Sequence, residues 1–203
     1  MNVNLFGCAF IYKGRIGLSY SASGIDFEAE NGFEAVLTSD KCGELGDAEI
    51  HYPRYALFCD GEQVKDLCLT TEQEMLVRED KGKHSYRLLK LSESADSTMF
   101  VEFATIGGKK VSVEYEWWPE KDSISNKNDE AHNDDDMLSG NKPEKIAARY
   151  VKYKRKPGRR LIEYIGDSIT CGYGVEGKLS LEDHYTTATE NCSKAYAWLS
   201  AGL

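Results

Sequence analysis

The sequence lacks the long apolar runs and the excess of basic residues that mark several large classes of protein. No stretch approaches the roughly 18 consecutive apolar residues of a membrane-spanning helix, so we expect no transmembrane segment. The formal net charge is −9 at pH 7, which argues against a general nucleic-acid-binding protein. The expected partners therefore include neither nucleic acid nor a membrane.

The N-terminal residues also do not have the pattern of a secretory signal peptide. Residues 1–12 contain no positively charged n-region, and their apolar run is short. Taken as it stands, the sequence predicts a cytoplasmic protein. If Met1 were an internal start, a leader would have been lost, and the parent protein would be secreted.

The six cysteines form no Cys-x-x-Cys pair and no His/Cys cluster with zinc spacing. Several lie within apolar, strand-like runs, where a free cysteine behaves as a small hydrophobic residue. The sequence therefore predicts reduced, structural cysteines and no metal site. Because the count is even, a disulfide stays open as an alternative.

Up to about Trp118 the hydrophobic pattern has a period of two, which indicates strands with one buried face. Val111, Val113 and Tyr115 alternate with polar residues, and Gly107–Gly108 marks a hairpin turn before them. Asp60–Gly61 is a second strong turn dipeptide. Further strand-like runs occupy residues 32–37, 55–59, 86–91 and 100–106. Many short strands without a convincing helix predict an antiparallel β-sandwich over residues 1–120.

The composition changes abruptly after the predicted sandwich. Residues 121–141 are polar, with three consecutive aspartates at 134–136, and predict a mobile loop. Residues 142–160 are rich in lysine and arginine, which favours a solvated connector between domains; a patch for an anionic polymer is the alternative. We therefore assign 121–160 to a charged loop and connector.

The segment 161–203 carries the clearest chemical signal. Leu161–Ile165 is typical of a buried strand, and it leads directly into Gly166-Asp167-Ser168. A sharp turn there would present one hydroxyl at the carboxyl end of the strand, where open α/β sheets bind ligands. Downstream, Thr187 and Glu190 have capping-box spacing, and residues 192, 195, 196 and 199 fall on one helical face. An ordinary Gly-Asp-Ser turn is the alternative.

The string IEYIGDSITCGYGVEG resembles block I of the SGNH/GDSL hydrolases in the form found in carbohydrate esterase family 2. Ser23–Phe27, the segment from Tyr52 to Glu62, and Leu88–Ser94 resemble the N-terminal jelly-roll domain of the same family. The resemblance covers nearly the whole chain. It implies a mostly β fold, with a jelly-roll β-sandwich followed by the first strand-turn-helix of an α/β hydrolase domain.

The resemblance also implies an activity, the removal of O-acetyl groups from carbohydrates without a cofactor. Ser168 would be the nucleophile, and its backbone N–H would donate to the oxyanion. We expect Asp167 to shape the turn rather than to transfer a proton, because aspartate readily bonds its own local backbone. Gly172 and Tyr173 are assigned to substrate binding.

A serine nucleophile needs a positioned base. In the family this base is a histidine in a C-terminal Asp-x-x-His block, and no such block follows Ser168 here. His51, His84, His132 and His184 are each more consistent with surface or loop residues. Residues 161–203 are also short beside a typical domain of about 100–150 residues. The sequence therefore predicts a fragment of a two-domain esterase that is inactive alone; a serine–histidine dyad in the parent stays open.

Two rival functions come from other classes. The sandwich by itself would be a carbohydrate-binding module, with Trp117 or Trp118 stacking on sugar rings, although alternation places one of them in the core. Alternatively, the charge-segregated linker would recruit a partner. The linker offers no interleaving of aromatic and basic residues for base stacking, although Tyr150 and Tyr153 lie nearby.

Overall fold

A computed structural model describes residues 2–40, 52–93, 97–115, 143–150, 164–178 and 186–201. The described residues form twelve strands: β1 (Asn2–Phe6), β2 (Ala9–Tyr12), β3 (Arg15–Leu18), β4 (Gly24–Glu30), β5 (Phe33–Ser39), β6 (Arg54–Cys59), β7 (Glu62–Cys68), β8 (Gln73–Arg78), β9 (Lys83–Lys90), β10 (Met99–Ile106), β11 (Lys109–Tyr115) and β12 (Glu144–Tyr150).

The strands pair into two sheets that face each other. The first sheet, sheet A, has the order β11-β12-β1-β4-β9-β6-β7. The second, sheet B, has the order β2-β3-β10-β5-β8. The hairpin between β10 and β11, which turns at Gly107–Gly108, joins the sheets. This arrangement confirms the predicted fold class, a mostly β protein built on a jelly-roll β-sandwich.

Apolar side chains on alternate positions of both sheets fill the core. Phe27, Phe33 and Phe103 form edge-to-face contacts, and Tyr86 stacks on Phe27 with ring centroids 5.4 Å apart. Each of these rings is almost fully buried. Burial of aromatic area of this kind is the main source of stability in a sandwich.

Residues 144–150 correct the expectation of a solvated connector. They form β12, which inserts between β1 and β11 and runs parallel to both. Ile146 and Ala148 face the core and are buried, while Lys145 and Arg149 alternate with them on the outer face. The strand forms because two neighbouring edges satisfy its backbone. Its parallel pairing with β1 and β11 adds to the antiparallel sandwich that was expected over residues 1–120. Residues 121–141, Trp117 and Trp118 lie outside the described residues.

The segment after the sandwich differs from its predicted secondary structure at two places. Tyr164 and Ile165, the end of the predicted strand, form no strand, and Ile165 is 88% exposed. Among the described residues no strand lies beside them; instead Tyr164 contacts Tyr196, with ring centroids 5.9 Å apart. The predicted turn and a helix follow, as α1 (Ser168–Cys171).

The predicted helix from Thr187 is replaced by two short 3-10 turns, Thr187–Thr189 and Cys192–Lys194, and then α2 (Tyr196–Ala201). The predicted capping pair does not form; the reciprocal pair is Thr186 with Thr189. Thr187 and Glu190 are buried instead, because tertiary contacts hold this segment against the sandwich. No helix in the described part of the chain is long and apolar enough to cross a membrane.

Candidate active-site segment

The Gly-Asp-Ser turn is held by its own aspartate. Asp167 is the N-cap of α1, and its Oδ1 accepts a hydrogen bond from the Ile169 N–H at 3.1 Å. Its carbonyl accepts from the N–H groups of Thr170 and Cys171. Such a cap satisfies donors that the first turn of a helix cannot pair internally. The carboxylate therefore fixes the turn from which Ser168 projects.

Ser168 is partly exposed at the start of α1. Its carbonyl accepts from the Tyr173 N–H at 2.8 Å and from the Cys171 thiol at 3.1 Å. Within the described ranges, neither its hydroxyl nor its N–H has a hydrogen-bond partner. The hydroxyl is available to a substrate, but no described group is placed to take its proton.

Both ring nitrogens of His84, the histidine that the structure describes, have partners other than Ser168. His84 lies on β9, where Nδ1 is 2.7 Å from Asp60 Oδ2 and Nε2 is 2.9 Å from the Lys81 carbonyl. His51, His132 and His184 lie outside the described residues.

Gly172 and Tyr173, the residues assigned to substrate binding, follow α1 directly. Gly172 ends the helix with φ +86°, a left-handed conformation that favours glycine. It is buried, and its carbonyl accepts from the Asn191 N–H at 3.2 Å. Tyr173 is 47% exposed and extends the accessible surface next to Ser168. All four predicted site residues lie within residues 167–173, so their proximity follows from the sequence itself.

Arg54 of β6 anchors this segment to the sandwich. Its guanidinium binds both carboxylate oxygens of Asp66 on β7, at 2.7 and 3.0 Å. It also donates to the Glu176 carboxylate and to the carbonyls of Ala188 and Glu190. The planar fork of arginine suits several simultaneous acceptors. Burial lowers the pKa of Arg54, but its hydrogen bonds with Asp66 and Glu176 outweigh that effect and raise it.

Glu176 gathers donors from both parts of the chain. Besides Arg54, its carboxylate accepts from Lys194 and from the Asn191 amide. Burial alone would raise the pKa of Glu176, but the hydrogen bonds from Lys194 and Arg54 lower it. The Glu176 N–H also donates to the Thr189 carbonyl at 3.0 Å. The carboxylate therefore ties the glycine-rich loop after Ser168 to the two 3-10 turns.

Residues 186–201 also contact the sandwich through an apolar side chain. Cys192 is 4% exposed and packs on the outer face of sheet A. Its neighbours there are Phe6, Ala56, Leu89 and Leu91. Its N–H donates to the Leu91 carbonyl at 3.2 Å, and burial raises the pKa of its thiol to about 12.

A partly buried cluster of polar groups includes Cys171, the last residue of α1. Ligand atoms of Glu93, Cys171 and Glu190 fall within 4.8 Å of one another. Burial, reinforced by the Glu190 carboxylate, raises the pKa of the Cys171 thiol. Cys171 is therefore a neutral thiol at physiological pH rather than a second nucleophile.

Three residues that hold the segment after Ser168 were not predicted from the sequence: Arg54, Glu176 and Asn191. No local pattern indicates them, because their partners lie far away along the chain. Arg54 falls within a segment that carried the family resemblance, and that is the one signal that singled out its neighbourhood.

The chain is similar in sequence to one known esterase over a short segment, and in fold to several solved esterases. No family model matches the chain. The cellulase/esterase CelE of Acetivibrio thermocellus is 52% identical over 46 residues, which are 23% of this chain and 6% of that protein. Among solved structures, a family two carbohydrate esterase from Clostridium thermocellum, in complex with cellohexaose, aligns with a TM-score of 0.54 at 17% identity, covering 99% of this chain and 48% of that one.

Two further solved esterases show the same similarity. The family two carbohydrate esterase from Cellvibrio japonicus has a TM-score of 0.56 at 13% identity, and the family 2 enzyme from Corynascus thermopiles has 0.53 at 21%. Each covers 99% of this chain and 46% of its own. The chain has the fold of family 2 carbohydrate esterases. It spans about half the length of these solved relatives.

Proposed function

We propose that this chain supplies the β-sandwich and the nucleophile segment of an SGNH/GDSL-type serine esterase that removes O-acetyl groups from carbohydrates. The observation that carries the proposal is the docking of the Ser168 turn onto the sandwich, within a fold shared with family 2 carbohydrate esterases over 99% of the chain. The local identity with a cellulase/esterase supports it.

In the proposed reaction, Ser168 Oγ attacks the acetyl carbonyl while a base takes the hydroxyl proton. The carbonyl oxygen becomes an oxyanion, which the Ser168 N–H stabilises. The C–O bond to the sugar breaks, and the sugar oxygen takes up the proton. Water then attacks the acetyl-serine, releasing acetate and restoring the hydroxyl. The acetyl-sugar ester is thus the substrate, and no metal or organic cofactor takes part.

The base is the missing component. Asp167 is committed to its helix cap, and no Asp-x-x-His block follows Ser168 in the 203 residues. We therefore propose that a histidine of an Asp-x-x-His block, as the family resemblance implies, supplies the base, and we expect these 203 residues alone to be inactive.

The first experiment compares hydrolysis of 4-nitrophenyl acetate by the 203-residue chain and its Ser168→Ala variant. Both should give the same background rate, because unactivated serine is a poor nucleophile at neutral pH. Turnover by the chain that Ser168→Ala abolishes would show that the base lies within the 203 residues.

The second experiment reads the coding DNA beyond the Leu203 codon and expresses any longer product. The proposal expects an Asn-bearing block and then Asp-x-x-His, and release of acetate from acetylated xylan that depends on Ser168. A frame that lacks these blocks, or a longer product without acetyl esterase activity, would contradict it.

A second candidate function, carbohydrate binding by the sandwich, is favoured by a cleft of about 1010 Å³ on the outer face of sheet A. A cross-strand row of side chains runs through the cleft, formed by Arg149 of β12, Asn4 of β1, Asp26 of β4, Arg87 of β9 and Phe58 of β6. Planar polar groups of this kind, placed beside an aromatic ring, suit the hydroxyls and apolar faces of sugars. Trp198 of α2 forms one wall.

Titration with cellohexaose, followed by calorimetry, tests this candidate. Asp26→Ala and Trp198→Ala should each weaken binding by about tenfold or more, since each removes a wall or a polar contact. Glu62→Ala, on a strand at the edge of the same sheet, is the control and should bind as the wild type does. Binding that survives in Trp198→Ala would contradict the role of Trp198 as a wall of the site, and a flat titration of the wild type rejects the function.

A further inference from the structure

Cys59, Asp60 and His84 bring three different metal-ligating groups together at one end of the sandwich. One ligand atom from each, the thiol Sγ, a carboxylate oxygen and a ring nitrogen, lies within 4.8 Å of the others. The site is accessible: the side chain of Asp60 is 55% exposed and that of His84 is 27% exposed. Thiolate, imidazole and carboxylate are the three ligand types that bind zinc in proteins.

Strand pairing, rather than sequence spacing, assembles this group. Cys59 ends β6 and pairs with Tyr86 of β9, so His84 lies two residues further along the neighbouring strand. Asp60 begins the turn to β7 in a left-handed conformation, with φ +51°, which aspartate tolerates better than most residues. Because 24 residues separate His84 from Asp60, the zinc spacings that are recognisable in sequences do not reveal the cluster.

The hydrogen bonds of His84 orient it as metal-binding histidines are oriented. Nε2 lies 2.9 Å from the Lys81 carbonyl, which can only accept, so this nitrogen carries a proton. In the neutral ring, Nδ1 then presents a lone pair to Asp60 Oδ2 at 2.7 Å. An N···O distance of 2.7 Å is that of a hydrogen bond, so in the metal-free chain a proton lies between these two atoms. A zinc ion would replace that proton, with the two ligand atoms moved apart to roughly 3.3 Å. A backbone carbonyl on the opposite ring nitrogen is the usual support for a histidine ligand.

Asp60 is also held in place by its second oxygen. Oδ1 accepts from the Ser85 N–H at 2.9 Å and from the Ser85 hydroxyl at 3.1 Å. Oδ2 is thus left pointing at His84. Asp80 lies close by but is engaged by Arg78 and by the Tyr86 hydroxyl. Asp80 is therefore not available as a ligand.

We propose that Cys59, Asp60 and His84 form a zinc site, in which Sγ, Oδ2 and Nδ1 are the protein ligands and solvent completes a tetrahedral shell. On binding, the Cys59 thiol proton and the proton shared by His84 and Asp60 pass to the buffer, and no group is oxidised or reduced. This site is independent of the proposed esterase chemistry. The group of Glu93, Cys171 and Glu190 is less suited, since it offers no imidazole and its Glu190 is fully buried.

Cobalt(II) is the spectroscopic probe for the test, with zinc as the competitor. Reduced full chain titrated anaerobically with Co²⁺ should develop visible ligand-field bands of tetrahedral intensity and a near-ultraviolet thiolate-to-cobalt band. Both should disappear when an equivalent of Zn²⁺ is added. Cys59→Ser should abolish the thiolate band, and His84→Gln should weaken Co²⁺ binding by about tenfold or more.

The control is Cys8→Ser, which removes an exposed thiol elsewhere and should leave the spectrum unchanged. Circular dichroism of each variant checks that the sandwich is folded. Zn²⁺ should raise the melting temperature of the wild type and of Cys8→Ser, but not that of Cys59→Ser. No thiolate band in the wild type, a band that survives in Cys59→Ser, or one lost in Cys8→Ser would each overturn the proposal.

Discussion

The guanidinium of Arg54 donates to the carboxylate of Glu176, 122 residues later in the chain. Arg54 begins a strand of the sandwich, and Glu176 lies in the glycine-rich loop that follows Ser168. Their side chains are only 11% and 21% exposed, so the pair is largely shielded from water. The sandwich thus orders the segment that carries the proposed nucleophile.

Arg54→Lys should lower the free energy of unfolding by about 1–3 kcal/mol, because lysine keeps the charge but loses the fork that serves five acceptor atoms. Urea denaturation measures the change. Arg87→Lys is the matched control: its pair with Asp26 is more exposed, at 46% and 32%, and should cost less than about 1 kcal/mol. Equal losses in the two variants would contradict the anchoring role of Arg54.

The ion pair between Arg54 and Glu176 should stabilise the chain less at acid pH. The pKa of Glu176 is lowered in the folded state, so its stabilising effect is complete above the unfolded value of about 4.3 and is lost as the pH falls through the folded value. The difference in unfolding free energy between the wild type and Glu176→Gln should be constant from about pH 5 to 7 and shrink below about pH 4.

Glu28→Gln is the control for this pH dependence, because Glu28 forms an exposed pair with Lys83. It should differ little from the wild type at any pH. If the difference in unfolding free energy between the wild type and Glu176→Gln is unchanged at pH 3, the ionised carboxylate of Glu176 is not what stabilises the segment.

Alanine variants of two glycines in the loop after Ser168 distinguish the cost of backbone strain from the cost of steric overlap. Both Gly172 and Gly174 have positive φ, +86° and +65°. A Cβ at Gly174 would meet open space, so Gly174→Ala should cost about 1–2 kcal/mol from conformation alone. At Gly172 it would overlap the Asn191 carbonyl, which adds about 1–3 kcal/mol. Chemical denaturation compares the two variants, and equal costs would show that Asn191 does not pack there.

Cysteine labelling tests whether residues 186–201 dock on the sandwich in solution. Cys192 is buried and the pKa of its thiol is raised to about 12, whereas Cys8 is exposed. In the native chain at pH 8, iodoacetamide should modify Cys8 at least about tenfold faster than Cys192, as measured by peptide mass spectrometry. In urea the two rates should converge. Similar rates in the native chain would mean that the segment is undocked.

Local sequence determined most of the sandwich. The alternation around Val111 and Val113 predicted β11, and the Asp60–Gly61 and Gly107–Gly108 turns predicted two hairpins, all of which are present. These signals are local because a strand with one buried face must alternate, and a tight turn needs residues that accept positive φ. The turn at Gly-Asp-Ser, with Asp167 shaping it, was predicted for the same reason.

Tertiary structure decided the rest. Glu144–Tyr150 contains only two buried side chains among charged neighbours, and it becomes a strand because the edges of β1 and β11 lie on either side of it. Residues 187–195 have helical spacing, yet Arg54 and Leu91 hold their backbone in 3-10 turns. The cluster of Cys59, Asp60 and His84 likewise exists only through strand register. In each case the deciding partners lie far away in the sequence, so only the assembled sheets could bring them together.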